Sequence, residues 1–278
     1  MKTLNIIGAG RVGQTLGRLF HEAGVVQVQA VVARSAASAQ AAVTFIGAGQ
    51  ASTDLAHLPN ADLWMLSVPD TQIAPSAQAL AALTSAHGAI RPALAFHCSG
   101  ALGADLLAPL SAQGWQVASA HPLLSFAQPA LALTQFAGTP CALEGDDAAL
   151  GALQAAFSRI GGQCFTLAAQ DKLLYHAGAV FATNFLPVLQ DLAEQMWQRS
   201  GMPPQLAQQL RHTLLHNAVN NIVVLGPQAA LTGPAARGDT ALVARQAQAV
   251  SAWNAQAGAA YTALSQLAAQ LARRTAPD

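Results

Sequence analysis

Charge is what this sequence has least of. Only 9% of its 278 residues are Asp, Glu, Lys or Arg, and 13 basic residues are balanced by 13 acidic ones. A chain without a basic surplus carries no electrostatic footprint for nucleic acid or an anionic membrane surface, so neither partner is expected. Aromatic residues are also scarce at 5%, and the 53% hydrophobic share includes 64 alanines. Much of the apolar content is therefore helix-friendly filler rather than large core side chains. No stretch of about 20 residues is free of polar interruption, so no transmembrane helix is expected. The nearest candidate, residues 177–189, is broken by Asn184 and Pro187. The opening MKTLNIIGAG is too short in its apolar part for a signal-peptide core and reads better as a first strand. Cysteine is confined to Cys98, Cys141 and Cys164, an odd number without CxxC spacing. That excludes a disulfide framework and a zinc knuckle. An apolar chain without net charge is not disordered. These absences leave a globular protein, expected in the cytoplasm.

What is present alternates. Short β-like runs at 4–7, 28–32, 63–68, 93–97 and 117–120 are separated by helical patterns, the first carrying Val12, Leu16, Leu19, Phe20 and Ala23 and stopping at Gly24. Strand and helix repeated in this way predict an α/β fold, a doubly wound and mostly parallel Rossmann sheet. Two further strand candidates, 139–144 and 163–167, bracket an alanine-rich helix at 146–160. After Leu167 the strands stop. Residues 169–199 read as one long helix, 205–225 as a second ending at Gly226-Pro227, and 240–274 as nearly continuous helix interrupted only by Gly258. We therefore expect a dinucleotide-binding domain over 1–168 and an all-helical domain over 169–278.

Gly8-Ala9-Gly10-Arg11-Val12-Gly13 is a GxGxxG between the first strand and an amphipathic helix. In that context the first glycine permits the tight turn and the second lets backbone approach a pyrophosphate. The third lets helix pack on strand, and the phosphates meet unpaired N–H groups at the helix start. Gly8, Gly10, Arg11, Val12 and Gly13 are thus expected cofactor contacts. About 20 residues on, where an acidic residue would hold the ribose of NAD, the chain reads Val32-Ala33-Arg34-Ser35, with no acid before Asp54. Arg34 and Ser35 can instead hold a 2′-phosphate, the arginine by a bidentate contact, so the expected cofactor is NADP. Ligands in such sheets lie at strand carboxyl ends, which adds Ser67, Val68 and Pro69 after one strand and His97 and Ser99 after another. Cys98 could serve as a nucleophile or simply as a small buried residue.

Lys2 and Lys172 are the only lysines. Lysine, unlike arginine, can lose its proton when desolvated, which singles out Lys172. His176 lies four residues on and shares its helix face, and Asn184 follows two turns later. Lys172, His176 and Asn184 are the expected catalytic set; an exposed lysine and a capped core histidine are the plainer alternative. His212, His216 and Asn220 also share a face, but packing or an interface stripe suits them better than a metal, and no metal is expected. His121 could face the cleft. The loop 232–239 could bind an anion or simply cap the next helix.

The strings GAGRVG (8–13), HCSG (97–100), HPLLSF (121–126), KLLYHAGAVFATNF (172–185) and LTGPAARGD (231–239) carry a resemblance. The chain resembles a bacterial family that joins a Rossmann-like unit to a helical domain of unknown function numbered 2520. That family lies within the 6-phosphogluconate dehydrogenase-like and ketopantoate reductase-like superfamily. The resemblance implies architecture more than substrate. In the wider superfamily a lysine on the first helix of the second domain does acid–base work with an asparagine one turn later. Lys172 fits the first role, but His176 stands where the asparagine would be. The expected activity is NADP-dependent hydride transfer to or from a small molecule in an interdomain cleft, in a homodimer joined through the helical domain. A cofactor-binding sensor without turnover and a deazaflavin-linked NADP oxidoreductase are the alternatives.

Overall fold

The structure, a computed structural model, describes residues 1–87 and 90–274. Packing divides the chain into two units, Met1–Phe181 and Ala182–Asp278. The first contains β1 (Lys2–Ile7), α1 (Arg11–Glu22), β2 (Val26–Val32), α2 (Ala36–Ile46), β3 (Gln50–Ser52) and β4 (Leu63–Leu66). It continues with α3 (Ile73–His87), β5 (Leu94–His97), α4 (Ala108–Ser111), β6 (Gln116–Pro122) and α5 (Pro129–Gln135). It closes with β7 (Pro140–Gly145), α6 (Asp147–Arg159), β8 (Gln163–Thr166) and α7 (Lys172–Ala179).

The eight strands form one sheet in the order β3-β2-β1-β4-β5-β6-β7-β8. The first six of that order run parallel; β7 is antiparallel to β6, and β8 parallel to β7. This is the expected mostly parallel doubly wound sheet, with its topological switch between β1 and β4. Parallel strands covered on both faces need unbroken apolar runs, and β4 and β5 are buried at every residue. One face packs Leu16, Phe20, Phe96 and Phe157 into a core, the other Trp64, Leu80, Leu107 and Trp115. Because aromatics are few, they meet each other: Phe20 and Phe96 both stand edge-on to Phe157, and Trp64 stands edge-on to Trp115.

In the second unit, α8 (Phe185–Arg199), α9 (Pro204–Ala230), α10 (Thr240–Trp253) and α11 (Ala255–Ala272) follow one another. No helix among the described residues is long and apolar enough to cross a membrane. The helical spans differ from the sequence reading in three places. Residues 169–199 are helical throughout but not uniformly α: a 3-10 turn precedes α7, and a π-helical turn, Val180–Asn184, lies between α7 and α8. Gly226 does break the helical backbone (φ 77°, ψ 163°), but Pro227 suits a helix start and the chain resumes helix to Ala230. The last helical stretch breaks at Asn254 rather than at Gly258. Asn254 leaves helical geometry and accepts a hydrogen bond from the Ala257 N–H, so it caps α11. Gly258 is instead the point where α10 and α11 touch: a Cβ there would lie 2.7 Å from the Ser251 Cα.

Gly258 and Gly151 should therefore respond in opposite directions. Gly258→Val forces backbone apart and is expected to cost about 1–3 kcal/mol. Gly151→Ala, exposed in α6 with nothing within 4 Å of the new methyl, should gain about 0.5–1 kcal/mol. Urea denaturation of the two variants checks both signs.

Candidate active site

The glycine loop is built by β1 and β4 lying side by side at the switch point. Gly8 has φ +111°, and a Cβ on it would sit 2.5 Å from the Ser67 carbonyl oxygen. A Cβ on Gly13 would meet the Ser67 Oγ at 2.3 Å and the Gly8 oxygen at 2.5 Å. Ser67 itself donates from Oγ to the Gly8 carbonyl at 2.9 Å, stitching loop to strand end. These contacts are packing, and they explain two of the three glycines. Gly10 differs: it is exposed, and a Cβ there would find only one atom, 3.7 Å away. Gly10 also precedes α1 without any side-chain cap, so no N-cap side chain takes up the first N–H groups of the helix. An anion fits there, held by donors and by the positive end of the helix.

The loop after β2 supplies the neighbouring surface. Arg34 is exposed, and Ser35 caps α2 by accepting from the Ser38 N–H at 3.2 Å. No acidic side chain lies between Val32 and Asp54. Val68 and Pro69, with Ser67, form the segment after β4. A dinucleotide whose pyrophosphate met α1 would have these segments within reach, and an additional phosphate would meet a guanidinium rather than a carboxylate.

A second group of side chains gathers at the ends of β5 and β6. His97 is wholly buried, its Nε2 at 2.8 Å from the Gly103 carbonyl while Nδ1 accepts from the Ser99 N–H at 3.2 Å. Both nitrogens thus serve the turn that follows β5. Burial pushes His97 down to about 4, against the hydrogen bond to Gly103. Ser99 donates to Asp70 at 3.0 Å and accepts from the Leu102 N–H, tying this turn to the one after β4. From α7, the side chain of Lys172 runs inward until the residue is only 1% exposed. Its ammonium donates to the Ser119 Oγ at 2.8 Å and the Ser99 carbonyl at 3.4 Å. Desolvation lowers its pKa, with Glu144 and Asp70 acting in the opposite sense. Among the described residues no carboxylate comes within ion-pair distance of it.

His176, one turn after Lys172, faces His121 at the end of β6, with ring centroids 5.8 Å apart. A Cβ on Gly100 would lie 2.5 Å from the His176 Cδ2 and 2.7 Å from the His121 Nε2, so the two rings close over a position only glycine can occupy. His121 Nδ1 lies 3.1 Å from the Tyr175 hydroxyl. Burial first, then the nearby His176 and Lys172, push His121 down to about 4.

The structure thus brings Lys172, His176, His97 and Ser99 to one end of the sheet unit. Asn184 belongs to the second unit, where it is exposed and accepts from the Thr183 hydroxyl. Cys98 is pushed up to about 12 by burial, which keeps it a thiol and a poor nucleophile. Asp239 caps α10, and the His212 and His216 rings lie 4.4 Å apart, tilted to each other, on an exposed helix face. Among the described residues no three His, Cys, Asp or Glu side chains converge as metal ligands. Ser119 and Tyr175 were not singled out by sequence. A serine inside the otherwise apolar run VASA, and one of only two tyrosines placed one turn from Lys172, were the signals available.

Residues 2–122 match the model of a Rossmann-like domain, and residues 139–268 match a domain of unknown function, DUF2520. The chain pairs a Rossmann-like domain with a DUF2520 domain. No curated protein matches it. Among solved structures it is similar to protein TM1727 from Thermotoga maritima, at 25% identity over 97% of this chain and 98% of that one, with a TM-score of 0.73. It is similar also to a candidate NADP oxidoreductase, BF3122 from Bacteroides fragilis, at 22% identity, 97% and 98% coverage and a TM-score of 0.72. A pyrroline carboxylate reductase from Plasmodium falciparum, solved with NADP bound, shares the fold at 11% identity, 96% and 98% coverage and a TM-score of 0.55.

The buried histidine of the Rossmann-like domain makes its stability depend on pH. Unfolded, His97 protonates near pH 6.5; folded, it resists to about 4. Between those values the unfolded chain binds more protons, so stability is full above pH 6.5 and is lost as pH falls toward 4. The expected slope is about 1.4 kcal/mol per pH unit for this residue. His121, also pushed to about 4, contributes a like share, so urea midpoints at pH 7.5, 6.0 and 5.0 read the sum, and His97→Asn should reduce the slope by about half even where it lowers the starting stability.

Proposed function

We propose that the protein is an NADP(H)-dependent oxidoreductase acting on a small molecule. The observation that carries this reading is the open, uncapped glycine loop at the switch point with exposed Arg34 beside it and no acid to receive a ribose. The fold it shares with the Bacteroides and Plasmodium proteins supports the same reading. Gly10, Arg11 and Val12 would hold the pyrophosphate through backbone N–H groups, and Arg34 and Ser35 the 2′-phosphate. Ser67, Val68, Pro69 and the turn from His97 to Ser99 would border the nicotinamide, which when bound supplies or accepts the hydride.

Lys172 and His176 form the proton-handling pair of this proposal. His176 is half-buried where Lys172 is fully buried, so it is the member that meets the substrate. Lys172 lies behind it, with its ammonium disfavoured by burial, so that it gives up a proton more readily than an exposed lysine. Asn184 is proposed as a further substrate contact. Two measurements test the reading together. NADPH should bind more tightly than NADH, and Arg34→Asp should remove that preference, a loss of about 1.5–3 kcal/mol. In a screen of carbonyl and imine compounds with NADPH, Lys172→Ala and His176→Ala should each lower turnover by about 10²–10⁴-fold while leaving NADPH affinity unchanged. Equal affinity for the two cofactors in the wild type would sink the assignment, and binding without turnover of any compound would favour a sensor.

The second unit supports an assembly. Among the described residues its only buried hydrophobic ones are Ala207 and Ala257, while Phe181, Val223 and Val224 are 63%, 78% and 78% exposed in and beside it. Four helices with so little core of their own must bury apolar surface elsewhere. We propose a homodimer joined through the helical domain, two-fold symmetry being the commonest closed arrangement. Light scattering at micromolar concentration should give twice the 28.5 kDa chain mass; a monomer would remove the proposal.

A further inference from the structure

The proposal above leaves His121 and Tyr175 without a role, although they stand in the middle of the site. The His121 ring is edge-on to Tyr175 at 5.6 Å on one side and tilted toward His176 at 5.8 Å on the other. Tyr175 is in turn backed by Phe165 of β8, edge-on at 6.0 Å, so the phenol cannot swing away freely. The Tyr175 hydroxyl meets Nδ1 at 3.1 Å. The opposite edge of the imidazole, Cε1 and Nε2, packs on Gly100 at the carboxyl end of β5, where a Cβ would lie 2.7 Å from either atom.

Which nitrogen carries the proton follows from the partners. Burial pushes the Tyr175 hydroxyl up to about 12 and His121 down to about 4, so both are neutral at pH 7. Lys172 and His176, the titratable groups that bear on His121, are of the same sign when charged and oppose a second proton on it. Between two neutral rings, the phenol is the better donor and the imidazole nitrogen the better acceptor. The phenol therefore donates to Nδ1, and the single imidazole proton is left on Nε2.

We infer that Tyr175 is a positioning residue that locks His121 as its Nε2–H tautomer, presenting a fixed neutral donor beside Gly100 to a carbonyl or carboxylate oxygen of the substrate. This inference rests on the reading that the β5 and β6 ends are the substrate end of a dinucleotide site. His121 then carries no proton away. It steadies oxygen, and such a donor is most useful where negative charge grows on that atom during hydride transfer. The division of labour is clear: His176 and Lys172 move the proton, while His121 holds the oxygen.

Long-range nitrogen–proton spectra of the full chain labelled with ¹⁵N-histidine test this without any known substrate. His121 is assigned by the signals lost in His121→Gln. The wild type should show His121 as the Nε2–H tautomer from pH 6 to 8. Tyr175→Phe, which keeps the ring and its packing on Phe165, should convert it to a mixture of tautomers while His176 is unchanged. Acetate, as an oxygen-acceptor probe, should shift the His121 Nε2 signal and leave exposed His212 and His216 in place. An Nδ1–H tautomer in the wild type, an unaltered tautomer in Tyr175→Phe, or no response to acetate would each overturn the inference. NADPH titrated into the same samples separates the two readings: failure to bind it, with the tautomer as described, faults the cofactor assignment and not the lock.

Discussion

A buried ammonium organises the candidate site. Taking a lysine out of water costs several kcal/mol unless its donors are met, and here they are met by a serine hydroxyl and a backbone carbonyl rather than by a carboxylate. Ser119 belongs to β6, and the Ser99 carbonyl to the turn after β5, so Lys172 pins the first turn of α7 to two strand ends at once. Everything else on α7 inherits its position from that anchor. Tyr175 and His176, three and four residues on, share the anchored face and so lie over β6 and Gly100. Without the anchor, α7 would have only exposed Leu173 and Leu174 and a few half-buried residues to hold it.

The cofactor end obeys a different constraint, the absence of side chains. Gly8 and Gly13 are small because Ser67 and its carbonyl already fill the space a Cβ would need. Gly10 is small where no protein atom crowds it, which leaves the room to whatever approaches α1. The two ends are joined through hydrogen bonds of the intervening turns. Ser67 binds the glycine loop to the end of β4, Asp70 just beyond it receives Ser99, and Ser99 carries the carbonyl that Lys172 holds. Hydrogen bonds therefore tie down the turns along the strand ends, with the Val68-Pro69 backbone connecting Ser67 to Asp70.

Much of this was legible in the residues. The unbroken apolar runs of β4 and β5 and the glycine pattern between β1 and α1 are local signals, each set by the period of a strand or by the φ a turn requires. That Lys172 and His176 stand one turn apart on α7 was legible from helical spacing alone. What was not legible depended on contacts between distant parts of the chain. Gly258 reads as a helix interruption until Ser251 is seen pressed against it, and Asn254 reads as an ordinary polar residue until it caps α11. Ser119 is one residue in a buried strand until Lys172 arrives from 53 positions away. His97 reads as a ligand contact at a strand end, yet both its nitrogens are spent on the turn that follows it.

Scarcity of charge gives the site its character. Two carboxylates are near enough to influence Lys172, but each is already committed to the backbone or to a hydroxyl. Glu144 accepts from the Ala104 N–H at 2.8 Å, and Asp70 accepts from Ser99. Their charge steadies loops and is not delivered to the ammonium as an ion pair. The Lys172 ammonium and the first N–H groups of α1 are donors at the strand ends, and the two acids that influence the lysine are held by other partners. In the proposed reading, such a site favours negative charge when it arrives, whether on a phosphate at α1 or on a substrate oxygen near His121. That bias comes from where the few acidic side chains are tied down, and it would persist through any substitution that left those ties intact.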